Sequence, residues 1–195
     1  MSDNFTTLQG TLDAVWSRLS RGVADAQAPA RTPALATSGP AVRMVVLRGA
    51  DREAATLTMW TNRASGKVAQ LLQDDRAEAL IWDSEAGFQI RLALRIEVSD
   101  GDADTWDRLG AGSRANYARV PPPGLPLDRP DAVPVETDPA MFTVLTGRIK
   151  GIETLHLASD PQARARFPEA RIDDARWIAP LAVSPNAVRR ARPVA

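Results

Sequence analysis

The sequence contains no cysteine and only one histidine, His156. The absence of cysteine excludes disulfides, thiolate metal sites, iron–sulfur clusters and cysteine nucleophiles. A single histidine argues against a histidine-rich metal site and weakens any interpretation as a Ser-His-Asp hydrolase. We therefore expect no metal centre and no hydrolytic triad.

Excess charge of either sign is also absent, because 24 Lys and Arg balance 24 Asp and Glu. Without a general basic field we expect no nucleic-acid or membrane partner, and any anion site must be local. No apolar run approaches the ~20 residues of a membrane span, and the polar N-terminus does not resemble a signal peptide. These absences predict a cytoplasmic protein.

The 195 residues suit one domain, which we place over 1–195. Apolar residues at helical spacing from Leu8 to Val23 predict an amphipathic helix within residues 1–24. A segment rich in proline and acids, 120–140, is unsuited to a core element. It is predicted to be a surface excursion or a partner-facing arm.

Period-two alternation and β-branched residues predict a mainly β fold. Strands are expected at 43–48, 57–60, 77–82, 88–98, 142–149, 152–157 and 177–183, and the loop before them has room for one more short strand at 34–37. The 142–149 and 152–157 strands are expected to form a hairpin about Lys150-Gly151, and 159–176 to be loop-like. Short helices are expected at 65–73, 104–109 and 113–119. Short turns between strands favour an antiparallel barrel of six to seven strands with several short flanking helices.

Arginines stand at both ends of the predicted strand 43–48. Arg43 comes directly before Met-Val-Val-Leu, and Arg48 comes directly after it. The guanidinium is a planar fork of donors that suits phosphate. Residues five apart on an ideal strand point to opposite faces, so both can reach one phosphate only if the strand twists. The alternative is two surface arginines at the ends of a buried strand.

Ser65-Gly66-Lys67 stands at a predicted helix N-terminus. Free N–H groups and the positive end of the helix dipole favour an anion there, and Lys67 adds charge. A P-loop is excluded, because Thr61 stands where glycine is needed and Val68 where Ser or Thr is needed. The alternative is an ordinary capped helix with a solvated lysine.

Three further positions could bind a ligand or take part in catalysis, and each could equally have a purely structural role. The backbone of Trp60-Thr61, at a strand end, could bond the polar edge of a heterocycle, although Trp60 is as easily core. Gln89 could bond such a ring, or could lie on a solvent face with Arg91. His156, in an apolar strand, is a weak candidate for a base and otherwise a structural histidine.

Together these segments resemble the pyridoxamine 5′-phosphate oxidase family of FMN-binding split β-barrels. The matching segments are Arg43-Met-Val-Val-Leu-Arg48, Trp60-Thr-Asn-Arg-Ala-Ser-Gly-Lys67, Gln89-Ile-Arg91 and, more loosely, Trp177-Ile-Ala-Pro180. The resemblance covers residues 30–120 well. It implies a homodimer with FMN at the subunit interface and a small-molecule substrate.

The resemblance also assigns cofactor-binding roles to individual residues. Arg43, Ser65 and Lys67 would hold the FMN phosphate, and Gln89 would bond the ring. The remaining contacts would come from residues that line the ring and ribityl chain or flank the phosphate: Met44, Val45, Val46, Leu47, Arg48, Trp60, Thr61 and Gly66.

The sequence departs from the family pattern at two places. Gly66 replaces an arginine that usually adds a phosphate contact. The substrate-gripping Arg-x-His-x-Arg motif here reads Thr154-Leu-His156-Leu-Ala158, without either arginine. Weak candidates for the catalytic or substrate-facing side are His156, Arg108 and Ser113.

The sequence therefore predicts an FMN-binding flavoprotein, a flavin-dependent oxidoreductase of unidentified substrate. The flavin carries the redox chemistry, and the protein supplies anchoring and ring hydrogen bonds. Four alternatives stay open: a true pyridoxamine 5′-phosphate oxidase, a non-catalytic flavin carrier or sensor, a deazaflavin protein, and a barrel without cofactor.

Overall fold

Eleven strands and four α-helices make up the computed structural model, which describes residues 3–121, 123–126, 129 and 136–179. The strands are β1 Ala34–Thr37, β2 Ala41–Met44, β3 Leu47–Asp51, β4 Thr56–Asn62, β5 Arg76–Asp83, β6 Phe88–Asp100, β7 Arg119–Val120, β8 Glu136–Thr137, β9 Phe142–His156, β10 Ala163–Pro168 and β11 Arg176–Trp177. The helices are α1 Leu8–Ala24, α2 Gly66–Gln73, α3 Ala103–Arg108 and α4 Ala111–Tyr117, with 3₁₀ turns at Pro29–Arg31 and Pro139–Met141.

Nine strands of the described chain form one antiparallel sheet, and β7 pairs with β8 separately. The central strand is β9. Its whole length pairs with β6 on one edge. On its other edge, its first half pairs with β4 and its second half with β10. Because β4 and β10 share one edge of β9, the sheet branches there.

The long strand β6 alternates as predicted, with Phe88, Ile90, Leu92, Leu94 and Ile96 buried and the residues between them turned outward. Helix α1 begins at its N-cap Thr7, whose hydroxyl accepts from the Gly10 N–H at 3.0 Å. Its apolar stripe joins the same buried cluster as the strands through Leu12, Val15, Trp16 and Leu19. Each such side chain contributes roughly 1.5–3 kcal/mol on burial.

The predicted strand 43–48 is in fact two strands. β2 ends at Met44 and pairs with β1, whereas β3 begins at Leu47 and pairs with β4. The chain changes partner at Val45-Val46, and the register shifts again between Leu47 and Gly49. Arginines expected at the two ends of one strand therefore lie on different strands.

The predicted hairpin about Lys150-Gly151 is wrong, because β9 runs unbroken through it. Ala93 pairs with Gly151 and Leu94 with Ile149, so Lys150 is the extra residue of a β-bulge. The loop expected at 159–176 contains β10, whose Ala165 and Phe167 are buried.

The predicted helices are found within two residues of their expected ends. In α2, Leu72 is 71% exposed. Part of the proline-rich segment 120–140, and residues 180–183 of the predicted closing strand, lie outside the described residues. The described part of that closing strand is Arg176–Trp177.

Candidate functional site

The N-terminus of α2 carries the first part of the site. Ser65 is its N-cap, but its hydroxyl makes no capping bond. The Ser65 hydroxyl instead lies 3.2 Å from the Thr61 hydroxyl at the end of β4. Lys67 donates to that Thr61 Oγ1 at 2.9 Å. The first N–H groups of the helix are consequently left without a side-chain acceptor from its cap.

Arg43 lies beside α2 on the flank that carries Lys67 and Gln70, and it is held by neutral groups. It donates to Thr37 Oγ1 at 2.7 Å and to Gln70 Oε1 at 2.8 Å. It also donates to the carbonyls of Leu35 and Ala41. These bonds fix the guanidinium at the edge of the sheet while leaving its charge uncompensated.

Arg43 and Lys67 are close enough to repel each other. Burial lowers the pKa of the Lys67 ammonium, and the charge of Arg43 lowers it further. Burial also lowers the pKa of Arg43. Within the described residues, no carboxylate lies at ion-pair distance from either cation. Two adjacent cations without a counter-ion, beside free helix N–H groups, are donors that can hold a phosphate, and we call this set the phosphate cradle.

Arg48 does not join this pair. Its Nη2 donates to the Tyr117 hydroxyl at 2.7 Å, and its guanidinium lies 4.8 Å from the Trp60 ring centroid. The Trp60 ring packs edge-on against Tyr117 and Phe142. The Nε of Arg48 is buried without a hydrogen-bond partner among the described groups. Because buried N–H groups are normally hydrogen-bonded, this Nε is free to donate to an acceptor on a ligand.

The residues between the two arginines face different ways. Val45 and Leu47 are buried in the core, so they can offer a ligand only their backbone. Met44 is 62% exposed on the outer face of β2. Val46 is half-buried between the strands.

Gln89 and Arg91 lie on the outward face of β6, as the alternation predicts. Trp82 pairs with Gln89, and Leu80 with Arg91, so these four side chains lie on the same outward face. The Gln89 side chain is half-buried and makes no hydrogen bond to another residue that the structure describes. Its amide is available to a ligand or a partner surface.

His156 lies on the other side of the sheet from Gln89. It pairs with the fully buried Phe88, while the adjacent pair is Gln89 with Leu155. Its ring stacks on Phe5 at 3.9 Å, its Nδ1 contacts the Ser159 hydroxyl, and its Nε2 lies 3.1 Å from the Ala86 carbonyl. Burial lowers its pKa. This is the environment of a structural histidine.

Arg108 and Ser113 are not brought to the phosphate cradle. Arg108 is exposed on α3, where it donates a hydrogen bond to Thr105 at 3.4 Å. Ser113 lies in the first turn of α4, where its N–H donates to the Gly110 carbonyl. Both helices pack on Trp60 through Leu109 and Tyr117.

Three residues at the site escaped the sequence argument. Gln70 lies one helical turn from Lys67, a spacing that could have drawn attention to it. Thr37 reaches Arg43 only through the pairing of β1 with β2, which the sequence alone does not specify. Tyr117 reaches Arg48 from 69 residues away, and no local signal joins the two.

The cradle fits the phosphate end of FMN. It offers two cations, the Ser65 and Thr61 hydroxyls and the first N–H groups of α2. Gly66 leaves room beside them, since a Cβ built on it meets no atom within 4 Å.

Comparison with known proteins confirms the predicted resemblance and FMN as the cofactor it implied. Residues 13–100 match the family model described as "Pyridoxamine 5'-phosphate oxidase, FMN-binding domain". No curated protein matches the chain.

Solved structures share the fold, which confirms the predicted antiparallel split barrel with short helices, here with nine strands in the main sheet. A pyridoxamine 5'-phosphate oxidase-related, FMN binding protein from Nostoc punctiforme is 26% identical, with a TM-score of 0.68 over 86% of this chain and 96% of its own. PhzG from Burkholderia lata, solved with tetrahydrophenazine-1-carboxylic acid, is 19% identical, with a TM-score of 0.58 over 87% and 91%.

The described residues contain no helix long and apolar enough to cross a membrane. They also contain no group of three or more His, Asp or Glu side chains arranged to hold a metal ion.

Proposed function

We propose that the chain is a flavin-dependent oxidoreductase of the family whose FMN-binding-domain model matches residues 13–100. The whole chain is proposed as a single FMN-binding domain that works as a homodimer, with FMN at the subunit interface and a small-molecule substrate. A cytoplasmic location is part of the same proposal.

The observation that carries this proposal is the pair Arg43 and Lys67. Burial and mutual repulsion lower the pKa of Lys67, and no carboxylate among the described residues compensates either charge. Such an arrangement is costly without an anion and favourable with one. A phosphate monoester supplies two negative charges and acceptors for both cations, the Ser65 hydroxyl and the α2 N–H groups.

The ring end would be held mainly by backbone and by Gln89. Val45, Leu47 and Thr61 are buried, so their peptide groups rather than their side chains would meet the polar edge of the ring. The unpaired Nε of Arg48 offers one further donor. Bound FMN would accept and donate electrons, while these residues orient it and keep water from one of its faces.

The exposed apolar side chains on the outward face support a homodimer. Met44 on β2 is 62% exposed, and Leu80 and Trp82 on β5 are 40% and 46% exposed; the two strands flank β1. Large apolar side chains clustered on one face mark an interaction site. Gln89 and Arg91 lie on that face too, so a second copy packed there would cover the ring-binding side of β6.

A true pyridoxamine 5′-phosphate oxidase is the rival enzyme, and the site disfavours it. Thr154 and Ala158 stand where the family's substrate-binding arginines are expected, and Thr154 is buried. His156 between them is engaged with Phe5, Ala86 and Ser159. We therefore expect the FMN-loaded protein to form no pyridoxal phosphate from pyridoxamine phosphate.

The test is spectroscopy of the purified full chain, followed by reduction. We expect flavin absorption bands, release of FMN on denaturation identified by mass, and bleaching of the bound flavin by NADH or NADPH. Bound flavin that neither nicotinamide reduces and that oxidises no screened substrate would replace the enzyme with a carrier or sensor. A colourless protein that takes up no added FMN would overturn the proposal as a whole.

A further inference from the structure

The Gln70 side chain accepts two hydrogen bonds beside the phosphate cradle. Its Oε1 lies 2.8 Å from Arg43 Nη2 and 2.7 Å from Thr37 Oγ1, and both of these groups donate to it. Arg43 Nη1 donates in turn to Thr37 Oγ1 at 2.7 Å. The three side chains therefore close a ring of hydrogen bonds, and the buried Thr37 anchors this ring to β1.

The ring determines which end of the Gln70 amide faces its neighbours. Thr37 Oγ1 accepts a hydrogen bond from Arg43, and its one proton is left to donate to Gln70. The Arg43 guanidinium has donors only. Both neighbours thus need an acceptor, which the amide oxygen of Gln70 supplies and its NH₂ group cannot. Among side chains of this length, only glutamine and glutamate offer such an oxygen.

Of these two, glutamine leaves the charge of the cradle unaltered. Lys67 and Gln70 are three residues apart and therefore share one face of α2. A carboxylate at position 70 would lie at the hydrogen-bond distance from Arg43 that the amide oxygen has now, and next to Lys67. It would offset one of the two positive charges. The lowered pKa of Lys67, caused by burial and then by the charge of Arg43, agrees with a pair of cations that no carboxylate offsets.

The sequence of α2 contains no carboxylate at any position. Gly66–Gln73 includes neither Asp nor Glu, although acidic side chains stabilise the first turn of a helix. The next acids along the chain, Asp74 and Asp75, each pair with an arginine that follows them. Two positive charges thus remain where Arg43 and Lys67 meet, and they match a phosphate monoester, whose charge is about −1.5 to −2 at neutral pH.

We propose that Gln70 is a positioning residue for the cofactor phosphate: it fixes the Arg43 guanidinium, and its neutrality keeps both positive charges free for a doubly charged phosphate monoester. This inference rests on the proposed function, because it requires that FMN place its phosphate in the cradle. It assigns part of the phosphate specificity of the site to an uncharged side chain.

Calorimetric titration of the flavin-free full chain with FMN and with riboflavin tests this role. Gln70→Glu keeps the acceptor oxygen and adds a negative charge. It should weaken FMN binding at least about tenfold and leave riboflavin binding within about twofold, because only FMN carries the phosphate. The same variant should melt at a higher temperature than wild type, since it relieves the repulsion between Arg43 and Lys67. A purely structural role would instead change both affinities alike.

Gln70→Leu separates the positioning of Arg43 from the charge of the cradle. It removes the acceptor and adds no charge, so it should weaken FMN binding by about three- to tenfold and lower the melting temperature. Gln73→Glu is the matched control, because it makes the same chemical change at an exposed position one helical turn further from the cradle. It should change FMN affinity by less than about twofold.

The outcomes separate the two proposals. If wild type prefers FMN to riboflavin and Gln70→Glu retains wild-type FMN affinity, the charge at position 70 has no role, and only this inference fails. Equal losses of FMN affinity in Gln70→Glu and Gln73→Glu would overturn it in the same way. If wild type binds neither flavin, the proposed function fails, and this inference fails with it.

Discussion

The surroundings of the Lys67 ammonium are unfavourable for a positive charge unless an anion binds beside it. Its ammonium is half-buried, bonded only to Thr61 among the described residues, and faces the charge of Arg43. Burial and the charge of Arg43 both disfavour the charged form, and they lower the pKa of Lys67. A bound phosphate would reverse the balance.

Lys67→Ala should weaken FMN binding by about 1.5–3 kcal/mol, the range for a charge-assisted hydrogen bond. Isothermal titration calorimetry checks it, with Lys150→Ala as control, since Lys150 is an exposed lysine paired with Glu169 at 2.7 Å. Lys67 is a cleaner probe than Arg43, whose four bonds also hold β1, β2 and α2 together. Equal FMN affinity in both variants would place the phosphate elsewhere.

FMN affinity should also fall as pH rises through the pKa of Lys67. The pKa of Lys67 in the free protein lies below the ordinary lysine value, so the ammonium needed by the phosphate begins to lose its proton earlier than usual. Binding then requires proton uptake, which weakens affinity with rising pH. Lys67→Arg keeps the charge and should flatten this dependence; the same slope in both proteins would show that another group titrates.

Gly66→Arg should tighten FMN binding, by about 1 kcal/mol for a partly exposed phosphate contact. The position has space for the side chain, because nothing lies within 4 Å of a Cβ there. Gly66→Gln is the uncharged control. A loss of FMN affinity in the arginine variant, with folding intact, would mean that Gly66 is needed for close approach of the ligand.

At the level of elements, the periodic segments were predictable and the irregular ones were not. The alternation of β6 and the helical stripe of α1 follow from local hydrophobic pattern. The division of 43–48 into β2 and β3 depends on which strands pair, and Val45-Val46 give no local sign of it. Lys150-Gly151 suggested a turn because glycine is common in turns, yet a bulge uses the same residues.

The candidate site divides in the same way. The helix start at Ser65 and the positions of Lys67 and Arg43 were predictable from spacing and charge type. Their partners were not, because Thr37 and Gln70 reach Arg43 only through tertiary packing. The contacts of the Arg48 guanidinium with the Trp60 and Tyr117 rings also arise from tertiary packing, and the sequence does not indicate them.

Tyr117→Phe should lower stability by about 0.5–1.5 kcal/mol, the usual net value of one hydrogen bond. The change removes the hydroxyl that accepts from Arg48 at 2.7 Å and keeps the ring that packs on Trp60 and Phe142. The melting temperature should fall by about 2–4 °C per kcal/mol. Tyr117→Ala, which also removes the ring, should cost more; equal losses would show that the bond contributes nothing.

At the level of the whole molecule, one face of the sheet has two unlike regions. Val42, Met44, Leu80 and Trp82 form its exposed apolar region. Across the sheet lies an ion-pair ladder in which Glu153 contacts Arg91, Arg164 and Arg166. In the proposed homodimer, the apolar region would supply area to bury and the charged region would fix the orientation of the two copies.

Trp82→Arg should shift the proposed dimer toward monomer, because it places a charge in the apolar region of that face. Analytical ultracentrifugation at micromolar protein checks it. FMN affinity should fall with the dimer, since the ring side of β6 would be uncovered. Ile172→Asp changes an apolar residue of similar exposure that is not on those strands, and should leave both unchanged. A Trp82→Arg protein that sediments like wild type would remove this face from the interface.

The central claim is that Arg43 and Lys67 hold the phosphate of a flavin, and a paired calorimetric titration with FMN and riboflavin tests it most directly. The two ligands differ only by that phosphate. Two charge-assisted contacts predict that riboflavin binds at least about 100-fold more weakly than FMN. Equal affinities, or no uptake of either ligand, would contradict the account.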